Sequence, residues 1–142
     1  MKIDATNPLY EAGYLRWKRC RDTIGGSDVI KKAGAAYLPK LKGQESDAYD
    51  AYKVRALFYG ASGRTVAGLS GAVFRKTPEV QTPDTMVDVM KTFSSNGHSF
   101  LQTVNKTVEE VLSVGRIGIL VDPVEDETNR AYASIYTAEN ID

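Results

Sequence analysis

The segment from Ala56 to Lys76 constrains the fold of this chain more than any other feature, because it is a long run of small and apolar residues. Its branched apolar residues recur at spacings of three and four, which places them on one face of a predicted helix: Val66, Leu69 and Val73. Gly68 and Gly71 interrupt that helix at a cost of about 1 kcal/mol each relative to alanine. A helix that retains both glycines is typical of a place where another backbone approaches closely, so the segment predicts a packing surface.

This segment is one of several short elements that are spread across nearly the whole chain. In order they are Trp17 with Arg21-Asp22 and Gly25-Gly26; Gly34 to Lys40; Tyr49 and Tyr52 with Arg55-Ala56 and Phe58; Arg64 to Lys76; Gly97 and Ser99; Gly115 to Asp122; and Tyr136 to Ile141. Taken together, the elements resemble the portal proteins of tailed bacteriophages, within a divergent portal-like group catalogued as a domain of unknown function.

The pattern of elements predicts an α+β fold that is mostly helical and has an antiparallel strand pair near its C-terminal end. The resemblance identifies residues 1–142 with a single N-terminal wing-like domain that is incomplete by itself. Its expected parts are a helical part over 7–76, a linker over 77–83, and a helix-helix-strand-strand part over 84–142.

The resemblance implies a structural protein, not an enzyme, that needs no cofactor and no metal. Proteins of this group form a closed ring of identical subunits, usually a dodecamer, at one vertex of the phage head. Double-stranded DNA passes through the ring during packaging and ejection. The implied partners are sister subunits, the terminase motor, and the capsid and tail connector proteins, with no membrane. The implied location is the virion, after assembly in the host cytoplasm.

Two sets of candidate site residues follow from the resemblance and from the glycine-rich helix. The set expected to pack against a sister subunit is Gly68, Leu69, Gly71, Val73 and Phe74. The set expected to form salt bridges with a neighbour, or to contact DNA, is Arg64, Arg75 and Lys76.

Charge is unevenly distributed although the formal net charge is zero. The region 16–42 carries a strong excess of cations, and the stretch 122–142 carries an excess of acids. The basic region supports an alternative function, a small nucleic-acid-binding adaptor, but solvated helix faces are the better interpretation of its charge. We expect six of its cations on the outer or inter-subunit surface, partly neutralised by the acidic stretch: Arg16, Lys18, Arg19, Arg21, Lys31 and Lys32.

Local signals predict where the elements begin and end. The predicted helices run from Asn7-Pro8 to Gly25, over 28–33 after a Ser27 cap, over 46–59 up to Gly60, from a Ser62 cap through the glycine-rich segment, over 84–93, and from a Ser99/Gln102 capping box to Gly115. The inward residues of the last helix are expected to be Leu101, Val104, Val108, Val111 and Leu112. A buried strand over 117–121 and a second strand over 131–136 flank a polar turn at 125–130.

Chemical motifs are few. The stretch from Gly60 to Thr65 superficially resembles a phosphate loop but lacks the lysine, so a helix start is the better interpretation. Cys20 and His98 leave open an enzyme hypothesis that requires the two side chains to meet. Glu109-Glu110 is interpreted as a solvated helix face. The sequence has no apolar run of about 18 residues or more, which predicts no transmembrane helix, and no apolar stretch after Lys2 that is typical of a secretory signal.

Overall fold

The computed structural model describes residues 6–122 and 131–141. Its α-helices in chain order are α1 (Pro8–Gly25), α2 (Ser27–Ala33), α3 (Ser46–Arg55), α4 (Ala61–Val73), α5 (Val87–Lys91) and α6 (Phe100–Val114). The strands are β1 (Ile117–Asp122) and β2 (Tyr132–Thr137), and short 3₁₀ turns cover Gly34–Ala36, Asp84–Met86 and Ala138–Asn140. The predicted α+β class, with a C-terminal antiparallel strand pair, is therefore confirmed.

Several helix ends lie where the local signals predict them. The Asn7 side chain accepts a hydrogen bond from the amide of Leu9, and Pro8 follows as the first residue of α1. The capping box between Ser99 and Gln102 opens α6 with both of its hydrogen bonds formed. Gly115 ends α6 with a φ of 76°, a left-handed conformation that few residues other than glycine adopt readily.

Several predicted boundaries are wrong, among them the helix predicted over 84–93, whose α-helical part covers only Val87–Lys91. Helix α3 ends at Arg55 and not at Tyr59, because Ala56 leaves the helical conformation with a ψ of 128°. The residues that follow line a groove together with Thr23 of α1. Helix α4 starts one residue before Ser62, with Gly60 at the N-cap, so Ser62 lies inside the helix and caps nothing.

Helix α2 likewise begins at Ser27 itself, with Gly26 at the N-cap position and no side-chain cap. The predicted polar turn over 125–130 lies outside the described residues.

Helix α1 is the centre of the packing, with α2, α4, α6 and the last 3₁₀ turn against it. Trp17 is buried in its middle, and Gly13 one turn earlier leaves room for the ring, since a β-carbon there would lie 2.6 Å from the indole. The Arg116 guanidinium lies 5.3 Å from the Trp17 ring, in the position of a cation–π contact. Trp17 therefore joins α1 to the segment between α6 and β1.

The strand pair is more open than the sequence suggests. Strands β1 and β2 pair in antiparallel register, with Ile119 opposite Ile135. The predicted burial of β1 is wrong, because Ile119 and Val121 are each exposed over half of their surface. Only β2 has a further backbone neighbour among the described residues, where the amide of Ala133 donates to the carbonyl of Phe93 at 2.8 Å.

The predicted inward face of α6 is also partly wrong. Leu101 and Val111 are exposed, whereas Thr103 is buried and donates its hydroxyl to the Ser99 carbonyl at 2.9 Å. A threonine can be buried at this position because its hydroxyl bonds within its own helix. The spacing of apolar residues alone could not show which side of α6 packs against other elements and which side faces solvent.

Candidate subunit interface

Helix α4 presents two different faces. On its inner side, Gly63, Val66 and Ser70 lie three and four residues apart, which places them on one face toward α1 and α6. A β-carbon on Gly63 would lie 2.9 Å from the carbonyl oxygen of Ile24, so only glycine allows α1 and α4 to approach this closely. Sequence reasoning missed Gly63, although its spacing from Val66 and Ser70 was available as a signal.

The outer side of α4 carries most of the predicted subunit-packing residues. Gly68 and Gly71 are exposed, and a β-carbon added to either would meet no described atom within 4 Å. Leu69 and Val73 are 49% and 56% exposed. Neither glycine serves packing within the described part of the chain, so the reason for a glycine at either position does not lie there.

Phe74 differs from the other four candidates. It is half-buried and occupies the C-cap of α4. Its spacing of four from Ser70 places it on the inner side of the helix. Phe74 therefore belongs to the internal packing of this chain, and the outer surface consists of the small and apolar residues before it.

The exposed side of α4 is also unusual in its charge. From Thr65 to Phe74 the sequence contains no charged residue, although most of this stretch faces outward. Helices with one face in water normally place charged or polar residues on that face. Gly68 and Gly71 lie opposite the inner side of α4, whereas Leu69 and Val73 lie at its exposed edge, three residues from Val66 and Ser70 respectively. We call the exposed surface that Gly68, Leu69, Gly71 and Val73 form around the helix the outer α4 face.

Cations border the outer α4 face at both ends. At the N-terminal end, the Arg64 guanidinium lies 5.5 Å from the ring centroid of Tyr59, and both residues are exposed. At the C-terminal end, Arg75 and Lys76 are exposed and form no ion pair with any residue in 6–122 or 131–141. All three predicted cations are thus at the surface beside the outer α4 face.

Arg21 is not one of the outward cations, and its expected position is wrong. Its guanidinium is half-buried and donates to Glu110 of α6 at 2.7 and 3.2 Å, and to Glu139 at 2.5 and 2.8 Å. Glu110 therefore does not belong to a solvated face, in contrast to the exposed Glu109. The other partner of Arg21, Glu139, lies in the acidic stretch 122–142, which was expected to neutralise part of the basic region.

The Arg21 cluster shifts the pKa of Glu139 and of Arg21 itself. Hydrogen bonds from Arg21 lower the pKa of Glu139 from 4.5 to about 2, and the two glutamates in turn raise the pKa of Arg21. The hydroxyl of Tyr10 also donates to the Glu139 carbonyl at 2.7 Å. Together these bonds tie the C-terminal 3₁₀ turn to α1.

A second polar cluster neutralises another cation of the basic region. Asp22 accepts from Lys18 at 2.8 Å and from the Tyr37 hydroxyl at 2.6 Å, and both bonds lower the pKa of Asp22. The Tyr49 hydroxyl donates to the Leu38 carbonyl at 2.8 Å, so Tyr37 and Tyr49 both stabilise the loop after α2. Lys31 donates to the Val54 carbonyl at 2.8 Å, which joins α2 to α3.

The geometry gives little support to the enzyme hypothesis with Cys20 and His98 or to a phosphate loop near the start of α4. Cys20 lines a groove of about 360 Å³ beside Ser113, near the C-terminal end of α6. His98 precedes the N-terminal end of the same helix, and at 1.5 Å per residue the two ends lie about 20 Å apart, so Cys20 and His98 do not meet. Residues 61–65 form the first turn of α4 and not a phosphate loop.

Among the described residues, no group of three or more histidine, cysteine or acidic side chains is placed to hold a metal ion. None of the helices in this part of the chain combines the length and apolar character of a membrane span. No family model matches the chain, and none of the curated proteins matches it either.

Proposed function

We propose that this chain is the N-terminal wing-like part of a portal protein, a structural head–tail connector that forms a closed ring of identical subunits. The ring stands at one vertex of a tailed-phage capsid in the virion, and double-stranded DNA passes through it. The observation that carries the proposal is the outer α4 face, which is exposed, free of charge and lined with small residues.

An exposed apolar surface of this kind supports self-assembly. Contiguous apolar patches on monomeric proteins are small, and larger ones mark binding surfaces. The small residues Gly68 and Gly71 would let the backbone of a second helix approach closely. The open face of β1 adds a second apolar surface on which Ile119 and Val121 are exposed. Both surfaces are consistent with a subunit that completes its packing against neighbours.

A channel for DNA also requires that the protein does not hold phosphates tightly, because each neutralised phosphate strengthens binding. In the basic region, Arg21 is neutralised by Glu110 and Glu139, and Lys18 by Asp22. These pairs reduce the positive charge available to DNA. The polar chemistry of α1 thus supports a scaffold function better than a DNA-binding one.

Light scattering coupled to gel filtration, followed by negative-stain electron microscopy, tests the proposal. We expect concentration-dependent assembly into closed rings, and loss of rings in Leu69→Glu and Val73→Glu. The matched control is Leu15→Glu, which replaces an apolar residue on α1 that is more exposed than Leu69 or Val73 and should leave assembly unchanged. A chain that stays monomeric at every concentration would contradict the proposal.

The second candidate is the small nucleic-acid-binding adaptor. The observation in its favour is that Arg16, Arg19 and Lys32 are exposed and have no ion pair within the described residues. An adaptor of this kind would bind duplex DNA as a monomer or dimer, with an affinity that falls steeply with salt.

A further inference from the structure

We infer that two copies of this chain pair through the open edge of β1, strand against antiparallel strand, so that their two strand pairs become one four-stranded sheet. The partner is thus a second copy, and the contact is the backbone of Ile117–Asp122. This inference goes beyond the proposed function and does not rest on it, because β1 and the outer α4 face are different surfaces. Its symmetry also differs, since a strand paired with its own copy forms a two-fold contact.

The hydrogen bonds of Ala133 in β2 show which backbone groups of β1 face outward. The Ala133 amide donates to the Phe93 carbonyl, and the Ala133 carbonyl accepts from the Ser95 amide, so both groups point away from β1. Ala133 lies opposite Val121, which makes this a pair without hydrogen bonds between the two strands. Such pairs alternate with hydrogen-bonded pairs along an antiparallel ladder. Every second residue of β1 therefore directs its amide and carbonyl away from β2: Ile117, Ile119 and Val121.

This outward edge of β1 is open within the described residues. None of its outward amides and carbonyls forms a hydrogen bond with a residue in 6–122 or 131–141. Natural proteins protect such edges with prolines, charged residues or bulges, but the segment Ile117–Val121 contains no proline and no charged residue. Because a row of alternating amides and carbonyls is paired by another strand, the edge itself specifies a β-strand as its partner.

The residue pattern of β1 favours its own copy as that strand. In an antiparallel pair centred on Ile119, this residue lies opposite Ile119 of the second copy, and Ile117 lies opposite Val121. All three positions carry outward backbone groups, so each forms a hydrogen-bonded pair. Their side chains share one face of the sheet, on which Ile119 and Val121 are more than half exposed. The pairing therefore places exposed apolar side chains against one another.

The charges that flank β1 support the same register. Arg116 and Asp122 lie three residues before and three residues after Ile119, so each arginine lies opposite the aspartate of the other copy, on the same face. Neither side chain forms an ion pair with a described residue. The contact of Arg116 with the Trp17 ring is compatible with this pairing, because a guanidinium stacks on aromatic rings and also binds carboxylates. A parallel pairing would place like charges together instead.

Pairing would also enlarge an element that is small by itself. A two-stranded sheet is marginal in water, whereas three or more strands with an apolar face are stable. The strand order in the shared sheet would be β2, β1, β1, β2. Because each copy contributes one strand to the contact, we expect a weak dimer that dissociates on dilution.

Proline substitutions distinguish the two edges of β1. Ile119→Pro removes an amide that faces outward, so it should abolish the dimer and leave the monomer folded. Leu120→Pro is the matched variant, and it should disrupt the monomer because the Leu120 amide faces β2. Sedimentation velocity over a range of concentrations measures the dimer, and circular dichroism measures the fold. Dimers in Ile119→Pro, or no dimer of the unmodified chain at any concentration, would overturn the inference.

Charge exchange tests the pairing of Arg116 with Asp122. Arg116→Asp and Asp122→Arg should each weaken the dimer by about fivefold or more, because like charges then lie opposite each other. Mixing the two variants should restore dimers, since opposite charges then face each other at both ends of the strand. Equally strong dimers in each variant alone would show that the two residues do not meet, and would contradict the antiparallel register.

Cysteine cross-linking locates the two-fold axis. In a Cys20→Ser background, Ile119→Cys should cross-link to its own copy with a short bis-maleimide, because this position lies on the axis. Ile117→Cys should cross-link when mixed with Val121→Cys but not alone, since two copies of position 117 would lie about 13 Å apart along the strands. Cross-linking of Ile117→Cys to itself, or none at position 119, would overturn the inference.

The same cross-links separate this inference from the portal proposal. Leu69→Glu, which should abolish rings, should leave the cross-link at position 119 intact, because Leu69 lies on α4 and not on the sheet. Rings without this cross-link would overturn the pairing through β1 and leave the portal proposal standing. Cross-linked dimers without rings would support the pairing and contradict the portal proposal.

Discussion

The guanidinium of Arg21 in α1 forms two hydrogen bonds with the carboxylate of Glu139, which lies 118 positions later in the chain. The same guanidinium also binds Glu110 of α6 through two donors. One cation therefore holds two carboxylates together and joins the first helix, the longest later helix and the C-terminal turn. Planar, two-pronged pairing of this kind is geometrically specific, which lysine could not reproduce.

Removing Arg21 should destabilise the fold, because Glu110 and Glu139 would then face each other without a cation. We expect Arg21→Ala to lower the free energy of unfolding by about 2 kcal/mol, less than for a fully buried pair because the cluster is partly open to solvent. Urea denaturation followed by circular dichroism measures the change. Arg16→Ala, an exposed cation on the same helix, is the matched control and should change stability by at most about 0.5 kcal/mol. Equal losses in the two variants would show that the Arg21 cluster contributes nothing specific.

The low pKa of Glu139 predicts how stability depends on pH. Its pKa is about 2 in the folded chain and 4.5 as an ordinary glutamate, so its contribution is complete above about pH 5 and disappears as the pH falls through about 2. We therefore expect the stability difference between the unmodified chain and Glu139→Gln to be largest at neutral pH and to vanish near pH 2. Urea midpoints measured from pH 7 to pH 2 give this difference. A difference that stays constant over the range would argue against the ionic role of Glu139.

Features that depend on neighbouring residues were predictable from the sequence. The Asn7 cap, the Ser99/Gln102 capping box and the left-handed Gly115 each act within one helical turn, so residue types at fixed spacings reveal them. The strand pair was predictable for the same reason, since an apolar run after a helix-ending glycine has few alternatives.

Features that depend on tertiary packing were not predictable. Nothing near Arg21 in the sequence indicates partners 89 and 118 positions away, so it was grouped with the surface cations. The periodicity of α4 shows that the helix has two faces, but not that Gly63 faces α1 while Gly68 and Gly71 face outward. The exposure of β1 likewise depends on which elements pack against it, and the apolar run from Ile117 to Val121 does not show which elements those are.

The glycines of α4 provide a matched comparison within one helix. Gly63→Ala should destabilise the monomer by about 1–3 kcal/mol, because its β-carbon would press on the Ile24 carbonyl. Gly68→Ala should instead stabilise the monomer by about 0.5–1 kcal/mol, because alanine favours the helix and the added methyl meets open space. Thermal unfolding of dilute protein measures both. The same sign for the two variants would contradict the assignment of inner and outer faces.

The basic region predicts weak and salt-sensitive contact with DNA. Of its eight cations, Lys18 and Arg21 are paired with acids and the Lys31 ammonium is bound to a carbonyl, so five cations remain to neutralise phosphates. Because affinity for DNA falls with salt in proportion to the number of phosphates neutralised, and non-specific binding is weak at physiological salt, we expect measurable duplex binding at low salt and little at physiological salt. Fluorescence anisotropy with a labelled duplex at both salt concentrations measures this. Tight binding at physiological salt that disappears in Lys31→Ala with Lys32→Ala would overturn the portal interpretation of these cations and favour the adaptor.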